Sequence, residues 1–177
     1  MAPKKRKSLP ATLTEILKSG NKILKKDLSS KISTFIKQFY VNGIPENLRK
    51  NPHSELFQRA YQSWLHGKMR KNETPLVRVF NPQIKSHGYQ SENSVIEIIT
   101  DDMPFIVSSI TSNCSVQKLS VELLIHHIIK VNRGINGEFN SIIENKKSPT
   151  PFKSESFVHI EIMRQPENQL AIIKDRL

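Results

Sequence analysis

A chain of 177 residues and 20.3 kDa has room for one full domain with a helical extension and is too short for a large two-domain enzyme. Hydrophobic residues make up 37%, mean hydropathy is -0.43, and no apolar run approaches the ~20 residues of a spanning helix, which excludes a protein held in a bilayer by helices. The net charge of +11 is unevenly spread: residues 1–50 carry +9 and residues 51–177 only +2, so a basic N-terminal arm, not the whole surface, would meet an anionic partner.

Residues 1–10, MAPKKRKSLP, read as a disordered basic tail; no apolar segment follows the charges, so a secretory signal is not expected. Residues 11–72 read as a helical segment. Leu28, Ile32, Phe35, Ile36, Phe39 and Tyr40 form one helical stripe that continues the apolar positions from Leu13 onward, with lysines opposite, until Gly43 and Pro45 break it. A second helix starts after Pro52, with His53 or Ser54 near its cap. It sets Leu56, Phe57, Ala60, Tyr61, Trp64 and Leu65 on one face and ends at Gly67 before the basic KMRK.

From residue 73 to 177 the period changes. LVRVF, Leu76 to Phe80, reads as a short strand with Arg78 pointing away, and SVIEIIT, Ser94 to Thr100, as a second whose Glu97 faces solvent or sits near an edge. Met103, Ile106, Val107, Ile110 and Cys114 recur at helical spacing. Leu119, Val121, Leu123 and Ile125 favour a strand, NRGINGEF has hairpin turn residues, and SFVHIEIMR alternates as the last strand. PENQLAIIKDRL opens another helix. The predicted class is α+β: N-terminal helices, then an incomplete ferredoxin-like β-α-β-β unit with its helices on one face of an antiparallel sheet. Its second helix is expected to be cut short and its last strand to lie at or beyond Leu177, leaving apolar sheet surface uncovered and an edge open to self-association.

Asp101 and Asp102 stand where strand becomes helix. Short carboxylates there can cap the helix, with Pro104 in its first turn; alternatively the turn holds a small ligand, the acids attracting an amino group. Capping is the preferred reading. His126, His127 and His159 do not make a metal site, because neighbours on a strand face opposite ways. Cys114 falls on the apolar side of its helix, which makes it a core residue and not a nucleophile, and a lone cysteine agrees with a reducing cytoplasm. His159 and Glu161 can share a sheet face as a structural polar pair. Arg78 and Arg164 read as solvated strand residues, and Trp64 and Tyr61 as core. No glycine-rich dinucleotide fingerprint is present, and no cofactor is expected.

A strand ending in acid, then MPFIV, an amphipathic helix and a long strand resembles the ACT domain, a ferredoxin-like module. TPLVRVFNP, GYQSENSVIEIITDDMPFIVSSI, LSVELLIHHIIKV and SESFVHIEIMRQ resemble, in order and spacing, the N-terminal part of the large bacterial NAD-specific glutamate dehydrogenases, from about Ile32 to Gln165. The family pattern would place an acid at Ser108, a glycine at Lys118, a proline at His127 and an acid at Met163. The resemblance implies a non-catalytic regulatory or assembly fragment of an enzyme that converts L-glutamate to 2-oxoglutarate, with the remaining dehydrogenase domains as partners. It also implies an amino-acid ligand at Asp101, Asp102, Met103, Pro104 and Phe105, facing Leu119 to Leu123 of a neighbouring strand or subunit. The competing readings are a basic module touching nucleic acid through Lys4, Lys5, Arg6 and Lys7, and an inactive gene-decay remnant; no membrane partner is expected.

Overall fold

The computed structural model describes residues 11–71, 74–144 and 151–177; the basic tail with Lys4, Lys5, Arg6 and Lys7 lies outside the described residues. In chain order the elements are α1 (Ala11–Leu24), α2 (Ser30–Phe39), a 3-10 turn (Glu46–Leu48), α3 (His53–Gly67), β1 (Leu76–Phe80) and the single-turn α4 (Ile84–His87). There follow β2 (Asn93–Asp101), α5 (Ile106–Val116), β3 (Val121–Arg133), β4 (Phe139–Ile142), β5 (Lys153–Met163) and α6 (Glu167–Asp175). No helix among the described residues is long and apolar enough to cross a membrane.

The helical stripe from Leu28 to Tyr40 forms, but not as a continuation of the helix before it. Lys25 takes a positive φ of 51°, and the Ser29 hydroxyl then accepts a hydrogen bond from the Ile32 N–H at 3.4 Å to start α2 afresh. The serine three residues before Ile32 was the sequence signal for that restart. α1 packs closely on α3 at Gly20, where a Cβ would overlap the Phe57 ring.

The five strands make one antiparallel sheet in the order β1-β2-β5-β3-β4. The expected α+β class holds. The apolar surface and the edge expected to be left open are instead covered. α6 forms, and its Leu170 and Ile173 are buried. In a β-α-β-β-α-β unit the final strand lies beside the first; here β1, from earlier in the chain, pairs with β2 from Leu76↔Ile99 to Phe80↔Val95 and occupies that lane. The β2 edge is therefore closed by a strand that precedes the unit.

Nor are the helices confined to one face. α5 and α6 cover one side through Ile110, Cys114 and Ile173 against Ile96, Ile98, Val158, Ile160 and Ile162. The N-terminal helices cover the other, where Ile16, Phe35, Ile36, Phe57 and Trp64 meet Ile99, Ile125, Ile129 and Phe157. Each side chain buried this way adds roughly 1.5–3 kcal/mol. At the β3–β4 hairpin Gly137 has a φ of 84°, and a Cβ there would strike the Arg70 carbonyl. Residues after α3 run along this hairpin, with the Arg70 N–H donating to the Gly137 carbonyl at 3.0 Å and a Met69↔Glu138 bridge.

Candidate functional site

The face under α3 holds most of the buried charge. Register sets Arg78, Glu97 and His159 in one row across β1, β2 and β5. Glu97 is fully buried, which corrects its expected place at solvent or an edge: the strand carrying it is flanked on both sides and roofed by helices. Arg78, expected to be solvated, turns onto Glu97 at 2.6 Å and onto the Gln62 carbonyl at 2.8 Å. His159 Nδ1 lies 3.1 Å from Glu97 Oε1, and its Nε2 lies 3.5 Å from Arg59 Nη1. Those partners assign the proton to Nδ1 and the lone pair to Nε2.

Arg59, on α3, ion-pairs with Glu161, whose other oxygen accepts from Ser91 at 2.8 Å and Asn93 at 3.2 Å. Burial pushes the His159 imidazole down, against the pull of Glu97, so it stays neutral. For Glu97 burial acts to raise the carboxyl, but the His159 hydrogen bond and the Arg78 charge outweigh it and hold the group below the usual range. Two arginines and two carboxylates thus sum to zero around a neutral histidine. His159 and Glu161 share the sheet face expected of them but do not pair directly: His159 Nε2 lies 3.7 Å from Glu161, and Arg59 meets both.

A second cluster of the same composition sits at the other end of this face. Arg70 Nη1 reaches Asp101 at 2.6 Å and Glu155 at 3.0 Å, while Arg133 grips Glu155 with two bonds of 2.7 Å. Arg133 also donates to the carbonyls of Gly137 and Gly67, and Arg70 to that of Thr74. Such bidentate, carbonyl-backed pairs fix where the hairpin and the end of α3 meet the sheet.

The capping expected of Asp101 and Asp102 is not what these acids do. β2 runs through Asp101, and the Asp102 N–H still bonds the Ser154 carbonyl at 2.9 Å, so both acids belong to the strand side and α5 starts only at Ile106. Phe105 occupies the cap position with a φ of 65° and makes no side-chain cap; Pro104 precedes the helix instead of lying in its first turn. Asp101 is drawn to Arg70, and Asp102 accepts from Ser156 Oγ at 2.8 Å.

Ser156 Oγ also lies 3.1 Å from His126 Nε2. Here the serine is the middle member, and its proton is turned to the carboxylate and not to the imidazole, so no activated hydroxyl results. Beyond this tether Met103, Pro104 and Phe105 project from the surface, Phe105 at 80% exposure. Leu119–Leu123 lies at the opposite end of the sheet: Val121 pairs with Ile162 beside Ser94, whereas Asp101 pairs with Glu155 beside Ile129. Only a second subunit could bring those residues to the turn.

The other candidates fall into place as follows. No group of three metal-ligating side chains occurs among the described residues. His127 is buried beside Phe35 and Phe39 and stacked on Phe157, with neither ring nitrogen bonded among the described residues. Cys114 is fully buried, Trp64 packs edge-on to Phe35 and Phe139, and Tyr61 stacks on Phe57. Arg164 is exposed and donates to the Ser91 carbonyl at 2.9 Å. Lys118, where a glycine was expected from the family pattern, has a φ of 58°, the conformation a glycine adopts without strain. His127 stands on β3 where, among the described residues, no strand pairs along its outer side, a place where a sheet admits the expected proline. Arg59 and Arg70 were missed as partners. Two acids on one face of each of two apolar strands, Glu97 and Asp101 in β2 and Glu155 and Glu161 in β5, were the signal available.

A family model described as glutamate dehydrogenase, ACT1 domain, matches residues 35–177. The NAD-specific glutamate dehydrogenase of Halomonas elongata is 27% identical over 141 residues, 80% of this chain and 9% of that protein. That of Pseudomonas aeruginosa is 26% identical over 133 residues, 75% of this chain and 8% of its own length. The chain therefore spans less than a tenth of these relatives. No solved structure matches it.

Proposed function

The chain belongs to the glutamate dehydrogenase ACT1 domain family, and from that premise we propose that it is a non-catalytic regulatory and assembly module of cytoplasmic amino-acid metabolism. The observation that carries this reading is the fate of the ionisable residues: those a catalyst would need are buried in two clusters, charge-neutral among the described residues, that join α3 and the hairpin to the sheet. A group held in such a pair is a poor proton shuttle, because leaving its partner uncompensated in a buried place costs several kcal/mol. Its partners are the other domains of a dehydrogenase acting on L-glutamate, and a second copy joined along β3, which among the described residues β4 and Ile143 pair from Lys130 to Arg133.

The ligand is an amino acid at Asp101–Phe105, completed by Leu119–Leu123 of the second copy. Exposed Met103 and Phe105 at a tethered turn support that placement. The test is a thermal melt of the purified chain with glutamate, aspartate and arginine. One of them at ~100 times its dissociation constant should add about 2.7 kcal/mol, and Asp102→Asn should remove that gain. A ligand-blind melt overturns amino-acid sensing, and NAD-dependent turnover of glutamate by the chain alone overturns the non-catalytic reading.

A further inference from the structure

A groove of about 820 Å³ opens between the start of α3, the β1–β2 connection and the end of β5, at the end of the sheet opposite to the Asp101–Phe105 turn. Its lining is polar and unusually rich in carboxamides. Asn51, Gln83 and Gln90 make no side-chain hydrogen bond among the described residues, and Glu55 and Glu92 have no ion-pair partner there. Arg59 lines it from below: it is almost wholly buried, its guanidinium covers the Tyr89 ring at 4.7 Å, and its Nε finds no acceptor among the described residues. Arg164 spends one bond on the Ser91 carbonyl and keeps the rest of its fork for a ligand.

The chemistry narrows the occupant. Glu55 and Glu92 repel a polyanion, while Arg164 repels a polycation; Arg59 and Glu161 neutralise each other. Apolar lining is limited to Leu48, Pro82 and Ile84, and no aromatic ring is offered, since Tyr89 lies buried beneath Arg59. A nucleobase or sugar ring would find no stacking surface. A carboxamide carries a donor and an acceptor side by side, as a peptide unit does. The volume belongs to clefts that enclose ligands larger than one amino acid. We propose that this groove binds a short peptide with free termini, its carboxylate at Arg164 and its ammonium at Glu55 and Glu92.

The probe is triglycine, titrated into the full chain labelled with 15N, with glycine and N-acetyl-triglycine amide as controls. Saturable shifts are expected at Asn51, Gln90, Ser91 and Asn93. Capping both termini or the substitution Arg164→Ala, at an exposed side chain, should weaken binding at least tenfold, and Glu92→Gln severalfold. Asp102→Asn should leave it unchanged, which separates this site from the turn and lets either fail alone. No saturable shift at millimolar triglycine, shifts confined to the turn, equal affinity for the capped peptide or for glycine, or full binding by Arg164→Ala each overturns the proposal.

Discussion

On the face covered by α5 and α6, β2 and β5 present Ile96, Ile98, Val158, Ile160 and Ile162, buried and without a charge among them; on the face covered by α1–α3 the same strands present Glu97, Asp101, Glu155, His159 and Glu161. The aliphatic face asks little of its cover, since any helix with an apolar stripe can bury it. The charged face is selective. Each carboxylate needs a particular arginine, and Arg59 meets the histidine beside Glu161 across a sequence separation of 100 residues. Burying such pairs adds little net stability compared with an apolar contact, but losing one partner is severe. The difference teaches that the helical layer is held in one orientation by charge matching, while the other layer is held by area.

Breaking the comparison at its strongest point means Arg59→Leu, which strands Glu161 beneath α3. We expect a loss of about 3–5 kcal/mol in urea unfolding, and recovery of most of it in Arg59→Leu/Glu161→Leu, since an apolar pair needs no compensation. A double variant as unstable as the single would mean that the pair is a net stabiliser and not an orienting device.

The next effect is a pH dependence to which His127 of the charged face contributes. Burial, with the nearby His126 and His159 adding to it, pushes His127 down to about 3. Between that value and the ordinary histidine range near 6.5 the unfolded chain takes up a proton that the folded chain refuses. The stability His127 supports is therefore complete above about pH 6.5 and declines as pH falls towards 3, at a limit of roughly 1.4 kcal/mol per pH unit. His127→Phe, stacked on Phe157 in place of the imidazole, should make the slope between unfolding curves at about pH 6 and 5 shallower, the remainder coming from His66, His87, His126 and His159, which burial also holds down. Parallel slopes in the two proteins would show that His127 does not titrate differently on unfolding. Glu97, held low, contributes stability above the ordinary glutamate range near 4.5 and loses it only below, outside the comparison between about pH 6 and 5.

Smallest is the aliphatic counterpart, Ile160→Val, for which removal of one buried methyl should cost about 1 kcal/mol with no change in pH slope. A loss as large as that of Arg59→Leu would erase the distinction between the faces.

Much of this architecture was legible in the chain. The stripe of α3, the alternation in β2, β3 and β5, the β3–β4 hairpin and the helix after the two acids all follow from periods of 3.6 and 2 that a side chain imposes on its own neighbourhood. The family pattern even anticipated a glycine at the positive φ of Lys118. The candidate site was legible only in its ingredients. Glu97 looked solvated because a single strand does not say what lies beside it; Asp101 and Asp102 looked like caps because Arg70 and Ser156, which claim them, are brought in by the end of α3 and by β5.

What the sequence by itself determined is therefore the local set: which segments coil, which extend, and which face of each is apolar. Tertiary structure alone decided that β1 closes the edge beside β2, that helices cover both sides of the sheet, and that every buried carboxylate of the α3 face lies against an arginine. The reason is range. Propensity and periodicity act over a few residues, whereas strand order and charge neutrality inside a low-dielectric core are satisfied between residues that only the completed fold makes neighbours.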